Sequence, residues 1–239
     1  MNLPTLPSPL LAGSDIHIWC ASLSCSPDEL SYFTSLLSAD EKARAKRFYF
    51  ERDRHHFIVG RGLLRCILGS YLEKEPAQIE FDYGKYGKPS LTHDKALEFN
   101  LSHSKDLAVC AFGLNHAIGI DVEYLHPMSD MNNFAEQYFS PRESAYINSL
   151  PAEQKESAFF KLWTCKEAFL KANGSGLTMP LNEVEIFLES GMNAVLSSIS
   201  GDKVEAMKWR LETFNPLPGY QAACIVRGNK GQIIFQQLS

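Results

Sequence analysis

Ile118-Gly119-Ile120-Asp121-Val122-Glu123 is the stretch from which the fold of this chain can be read. Apolar and non-apolar positions alternate with the period of a strand, so Ile118, Ile120 and Val122 share one face and Gly119, Asp121 and Glu123 the other. Upstream, residues 79–83, 97–104 and 107–113 are also short and strand-like, with turn signals at residues 84–89, at Lys105-Asp106 and at Asn115. That order predicts an antiparallel meander and not a series of βαβ crossovers.

Before the meander, residues 1–13 contain Pro4, Pro7 and Pro9 and read as a loose extension ahead of a strand over residues 15–23. Ser38 and Glu41 form a capping-box pattern, and two helices are expected, one through Phe50 and one through Leu72. After the polar loop at residues 126–132, Ser140-Pro141-Arg142-Glu143 opens a second helical stretch with an N-cap, a proline at the first helical position and a capping glutamate. A long helix over residues 155–172 follows, then Gly174 and Gly176, then strands near 184–188, 209–214 and 220–226. Both halves therefore run helices first and strands second. The expected fold is α+β, with two similar subdomains related by pseudo-two-fold symmetry, residues 1–114 and 115–239. Each has helices packed on a small antiparallel sheet, and the cleft between them is the natural ligand site.

Composition narrows the function. With 239 residues, 45% hydrophobic and 21% charged, the chain has ordinary globular usage. No window approaches the roughly 18 apolar residues of a spanning helix, and the first residues lack the basic start of a signal peptide, so a cytoplasmic protein without membrane contact is expected. The net charge of -5 speaks against nucleic acid. Yet residues 42–65 hold eight basic side chains (Lys42, Arg44, Lys46, Arg47, Arg52, Arg54, Arg61, Arg65) against Glu51 and Asp53. This segment is either a solvated helix surface or an anion site. The six cysteines show no C-x-x-C pair and read as reduced, buried small hydrophobes.

Asp121 and Glu123, side by side on one strand face, either point to solvent or hold a hard cation through their oxygens. In residues 159–171, Leu162, Cys165 and Phe169 form one apolar face at ~100° per residue, while Phe160 and Trp163 lie opposite, in a stripe that includes Glu167 and Lys171. A helix apolar on both sides is buried between layers or lines a cleft. Glu167 and Lys171 are then either an ordinary i,i+4 pair or cleft residues. Ser102 and His103 are adjacent on a strand, point to opposite faces, and cannot form a nucleophile–base pair. Residues 83–89 make a turn whose Lys85 and Lys88 could also hold an anion.

Taken together, Gly87-Lys88-Pro89, Phe99-Asn100-Leu101-Ser102-His103-Ser104, Gly119-Ile120-Asp121-Val122-Glu123, Phe139-Ser140-Pro141-Arg142-Glu143 and Trp163-Thr164-Cys165-Lys166-Glu167-Ala168-Phe169-Leu170-Lys171 resemble the 4'-phosphopantetheinyl transferases of the surfactin-synthetase-activating type. Each motif alone is weak, but all stand in the family's order. The resemblance implies a monomer that binds coenzyme A between two similar subdomains. It implies transfer of phosphopantetheine to a serine of an apo acyl or peptidyl carrier protein, with adenosine 3',5'-bisphosphate as second product. It also implies magnesium (Mg2+) as cofactor, with Asp121, Glu123 and Glu167 matching the ligands, Glu167 doubling as base, and Lys171 neutralising or protonating the leaving phosphate. Arg44 matches a contact to the coenzyme's 3'-phosphate, and Lys85, Tyr86, Gly87, Lys88, Ser102, His103, Asp121 and Lys171 match the other coenzyme-binding positions. Glu143 stands where the family often has a glutamate, although the capping box already explains it. Arg52, Arg54, Arg61 and Arg65 either touch ligand or pair with local acids. A non-catalytic carrier-protein or coenzyme A binding module of the same fold is the alternative, and retention of all three carboxylates and Lys171 speaks against it. A magnesium phosphohydrolase ranks behind both.

Overall fold

The computed structural model describes residues 11–174, 176–188, 193–228 and 231–237. Of the extension expected over residues 1–13, residues 1–10 lie outside the described residues. Leu11 packs on the core cluster around Trp19. The first half contains β1 (Ile16–Ser22), α1 (Pro27–Leu36), α2 (Ala39–Ala45), α3 (Glu51–Leu72), β2 (Phe81–Tyr83), β3 (Pro89–Leu91), β4 (Leu97–Ser104) and β5 (Leu107–Leu114). The second contains β6 (Ile118–Tyr124), α4 (Met131–Tyr138), α5 (Pro141–Ser149), α6 (Ala152–Asn173), β7 (Val184–Leu188), β8 (Ala194–Ile199), α7 (Lys203–Ala206), β9 (Trp209–Phe214), β10 (Tyr220–Arg227) and β11 (Ile233–Gln237).

The α+β class and the repeat of one half by the other are as expected. In each half a middle strand pairs antiparallel with two neighbours, in the orders β1-β5-β4 and β6-β10-β9. Each sheet carries one 22-residue helix on its outer face, α3 against Trp19, Phe99 and Phe112 and α6 against Ala223 and Ile225. The inner faces meet through Ile16, Ile18, Val109 and Ala111 on one side and Ile118, Ile120, Val122, Ala222 and Cys224 on the other. Alternation along the strands produces this order of layers, because odd and even positions of one strand serve different cores.

The repeat extends to buried charge. Ser38 and Ser140 cap α2 and α5 through full capping boxes. The box glutamates then reach the long helices. Glu41 accepts from Arg65 Nε at 2.8 Å and pairs with its second guanidinium nitrogen at 2.7 Å, while Glu143 pairs with Lys166 Nζ at 2.8 Å. Arg65 also donates to Pro76 O at 3.1 Å and Ile79 O at 2.8 Å, and Lys166 to Leu181 O at 3.0 Å and to Val184 O. Arg65 and Lys166 each stand fifteenth in their helices. Each pair therefore ties a short helix, a long helix and the turn after it.

Two expectations of the fold need correction. The helix expected through Phe50 ends at Ala45, and residues 46–50 turn so that Phe48 packs on Phe57 and α3 can return across the sheet. The continuous meander breaks twice: β2 and β3 form a two-stranded sheet of their own, and after Asn115, which has φ of 57°, β6 pairs with β10 instead of β5. Its Ile118, Ile120 and Val122 belong to the core between the sheets, which a place in the first sheet beside β5 would not give them. Helix α1 is an addition, and Ser26-Pro27-Asp28-Glu29 carries the same start signal as α5. β11, last in the chain order, pairs parallel with β1, the first strand. All six cysteines are free thiols, but only Cys110, Cys165 and Cys224 are buried as expected; Cys20, Cys25 and Cys66 are half-buried.

Candidate active site

Glycine at 119 is what allows α6 and β6 to lie backbone to backbone. A Cβ there would stand 2.0 Å from Ala168 O and 2.5 Å from Ala172 N. Gly119→Ala is expected to destabilise the fold by about 3 kcal/mol, because neither contact is a movable side-chain end, and urea unfolding measures it. The close approach brings Asp121 and Glu123 of β6 to Glu167 and Lys171 of α6. Lys171 Nζ donates to Asp121 Oδ1 at 2.7 Å and to Ser102 Oγ at 2.8 Å, and Ser102 Oγ donates to Asp121 Oδ1 at 2.8 Å. Ser104 Oγ donates to Glu123 Oε2 at 2.8 Å, and Asn100 Oδ1 accepts from Ile120 N at 3.0 Å. Asn100 and Ser104 support the cluster from the same strand, and their spacing from Ser102, which has the strand period, is the one sequence signal that marks them.

Charge in this cluster is frustrated. Burial raises the Glu167 carboxyl, the Asp121 charge adds to it, and Lys171 opposes. Burial likewise raises Glu123, again with Asp121, against the Ser104 bond and Lys171. Asp121 is 3% exposed, and its Oδ2 is buried without a hydrogen-bond partner. Among the described residues no group of three His, Cys, Asp or Glu could hold a metal ion by itself. The donor set nonetheless fits a hard dication whose shell is completed by substrate phosphate and water, since such an ion takes few protein carboxylates. It would meet the orphan oxygen and relieve the mutual repulsion.

Beside the cluster lies a cleft of about 250 Å³ between the halves, lined by Tyr86, Gly87, Lys88, Pro89, Asn100 and Leu101 from the first and Glu167, Leu170, Lys171, Gly174 and Gly176 from the second. Lys85 lies over the Tyr86 ring at 5.1 Å. Gly87, at φ of 82°, makes the turn that a side chain would resist. Lys88 Nζ reaches two main-chain oxygens, Ile118 O at 3.1 Å and Ala172 O at 3.3 Å. His103 has an exposed side chain in the electrostatic neighbourhood of Lys171, His56 and Asp121, and its imidazole is lowered by desolvation first and by Lys171 next. A larger cavity of about 660 Å³ between β1, β11 and residues 214–217 holds none of the expected site residues.

Sequence comparison identifies the family. Residues 117–225 match the family described as 4'-phosphopantetheinyl transferase superfamily, and residues 21–114 match 4'-phosphopantetheinyl transferase, N-terminal. The chain is 44% identical to the 4'-phosphopantetheinyl transferase HetI of Nostoc sp. (strain PCC 7120 / SAG 25.82 / UTEX 2576) over 95% of its own length and 93% of that protein. This chain belongs to the 4'-phosphopantetheinyl transferase superfamily. It is also 31% identical to the 4'-phosphopantetheinyl transferase Sfp of Bacillus subtilis (strain 168), over 68% of this chain and 71% of that one. A solved holo-(acyl-carrier-protein) synthase from Bacillus anthracis str. Ames in complex with CoA (3',5'-ADP) superposes with a TM-score of 0.39 at 18% identity, covering 48% of this chain and 96% of that chain.

Within this phosphopantetheinyl transferase chain the remaining charged residues separate cleanly. Glu143 is 2% exposed and committed to Lys166, to the Ser140 N–H at 2.7 Å and to the Ile186 N–H at 2.7 Å. It is a structural anchor. Arg52 lies 3.6 Å from Asp53, Arg54 lies 3.8 Å from Glu51, and Arg65 is spent on Glu41. Arg61 differs: it is 7% exposed, lies 3.3 Å from Glu41 Oε1, and leaves its Nη1 unpartnered. Its counterpart, eleventh in α6 as Arg61 is in α3, is Leu162. The Arg44 and Arg61 guanidinium carbons lie 5.3 and 5.9 Å from the centre of the same Phe57 ring.

Proposed function

We propose that this protein is a magnesium-dependent phosphopantetheinyl transferase that moves the 4'-phosphopantetheine arm of coenzyme A to a serine of an apo acyl or peptidyl carrier protein, acting as a cytoplasmic monomer. The observation that carries this reading is the buried Asp121 beside the cleft, bonded to the cleft residue Lys171, with a charge that raises the carboxyls of both Glu123 and Glu167. The carrier serine Oγ bonds to the phosphorus that bears pantetheine. The bond from that phosphorus to the oxygen of the departing adenosine bisphosphate breaks, and the serine proton leaves with a base. Charge gathers on the bisphosphate, so positioning and electrostatics do most of the catalytic work.

Asp121, Glu123 and Glu167 are the residues that would hold magnesium, and the ion would supply charge neutralisation at the pyrophosphate. Glu167 is also the candidate base. Burial makes its carboxylate more basic than usual, which favours taking a proton from an alcohol at Oε. Lys171, one turn on, offers a cation and a proton to the leaving phosphate, and its bonds to Asp121 and Ser102 hold its ammonium in place. The exposed Arg44 and Lys85, with Tyr86 and Gly87 on the cleft wall, suit the anionic coenzyme, and His103 lies in the electrostatic neighbourhood of Lys171. Neither nucleic acid nor membrane is part of this reading, and among the described residues no helix is long and apolar enough to cross a membrane.

Purified protein with magnesium and coenzyme A is expected to add one phosphopantetheine to an apo carrier, read by intact mass. No gain across carriers of fatty-acid, polyketide and peptide synthases, with coenzyme A still bound, would favour the non-catalytic module instead.

A further inference from the structure

We infer that Lys88 is a positioning residue, a cross-half tie that holds the end of α6 on the start of β6, and that this tie sets the geometry of Glu167 and Lys171 against Asp121. Resting on the proposed transferase reading, this gives Lys88 a role different from the coenzyme contact that its motif implies.

Lys88 follows the turn closed by Gly84 N–H to Lys88 O at 2.9 Å and Gly87 N–H to Gly84 O at 2.9 Å, so its backbone is anchored in the first half. Both oxygens that receive its ammonium belong to the second half. Ala172 is next to last in α6, where a helix runs out of amide partners for its carbonyls. The Gly174 N–H takes Leu170 O at 3.0 Å, so the helix end closes over a different carbonyl. An ammonium on Ala172 O is therefore a helix C-cap supplied from another part of the chain, and it opposes the negative end of the helix dipole. Ile118, whose O is the other acceptor, opens β6, and Gly119 beside it is the point where α6 touches the strand.

One donor of the three on the ammonium remains for solvent or ligand. Burial works against the charge, with Glu98 favouring it, so the lysine is held by these oxygens at a cost that an exposed phosphate contact would not incur. From the tie, Lys171 is one residue before Ala172 and Asp121 three after Ile118. A slip of the helix end would therefore be felt first at the 2.7 Å bond between Lys171 and Asp121.

The test is Lys88→Met, with Lys88→Arg as the conservative partner. Amide exchange in residues 117–121 and 168–174 of the protein without ligand is expected to speed about tenfold in Lys88→Met, and Lys88→Arg, which keeps charged donors, to restore most of the protection. In transfer assays kcat is expected to fall about tenfold or more while KM for coenzyme A moves less than about twofold, as for a misplaced catalytic group. Unchanged exchange protection overturns the inference whatever the kinetics do, and so does a rise in KM with kcat retained. If Lys88→Met does not fold, a ligand contact as its sole role is excluded and Lys88→Arg must restore the fold for the tie to stand. Exchange needs no turnover. A wild-type protein that transfers nothing would thus defeat the transferase reading while leaving the tie to be judged on protection.

Discussion

Asp121→Asn is expected to lower carrier modification by a factor of about 10³ while leaving the protein folded. The side chain keeps its volume, and the amide can still meet Ser102, so the strand is not disturbed. What is lost is the charge to which Lys171 binds and the buried oxygen that has no other partner. Removing that charge also relieves Glu123 and Glu167, both of which it raises. Intact-mass turnover at saturating coenzyme A, alongside thermal unfolding, separates the two effects. Near-normal turnover by a folded Asp121→Asn would remove this residue from the proposed metal set.

Glu143→Ala should have the largest effect on stability, about 3–5 kcal/mol, because it leaves Lys166 charged, 0% exposed and without its acid. The same change strips the Ile186 and Ser140 amides of their acceptor. Lys166 is already disfavoured as a cation by burial, with Glu143 the main opposing influence. Adding Lys166→Met to Glu143→Ala is expected to cost about 1–3 kcal/mol less than the two single losses combined. Denaturant unfolding of the four proteins closes the cycle. A folded, stable Glu143→Ala that has lost transfer would instead make Glu143 part of the chemistry, which its burial away from the cleft argues against.

The internal repeat also explains why the basic segment resists interpretation from sequence. Arg61 and Arg65 share one helix turn and one acid, yet the position equivalent to Arg65 in the other half is Lys166, while the one equivalent to Arg61 is the uncharged Leu162. Charge counting cannot separate a core ion pair from a cation available to ligand. Partners do, and they come from α2, from β2 and from the turn after α3.

What the sequence determined alone was local and periodic. The alternation of residues 118–123 placed Asp121 and Glu123 on one face, apolar residues on both sides of residues 159–171 marked a buried helix, and the boxes at Ser38 and Ser140 marked true helix starts. Covalent geometry fixes each of these within a few residues, so no distant partner is needed to read them. Only the tertiary structure decided that β6 leaves β5 for β10, that β11 returns to β1, that Glu143 is an anchor, and that Lys88 spans the halves. Strand period records which face a side chain takes but not which edge its backbone pairs with. That choice follows from burying Ile118, Ile120 and Val122 between two sheets while Gly119 admits α6, a balance that exists only once the whole chain has folded.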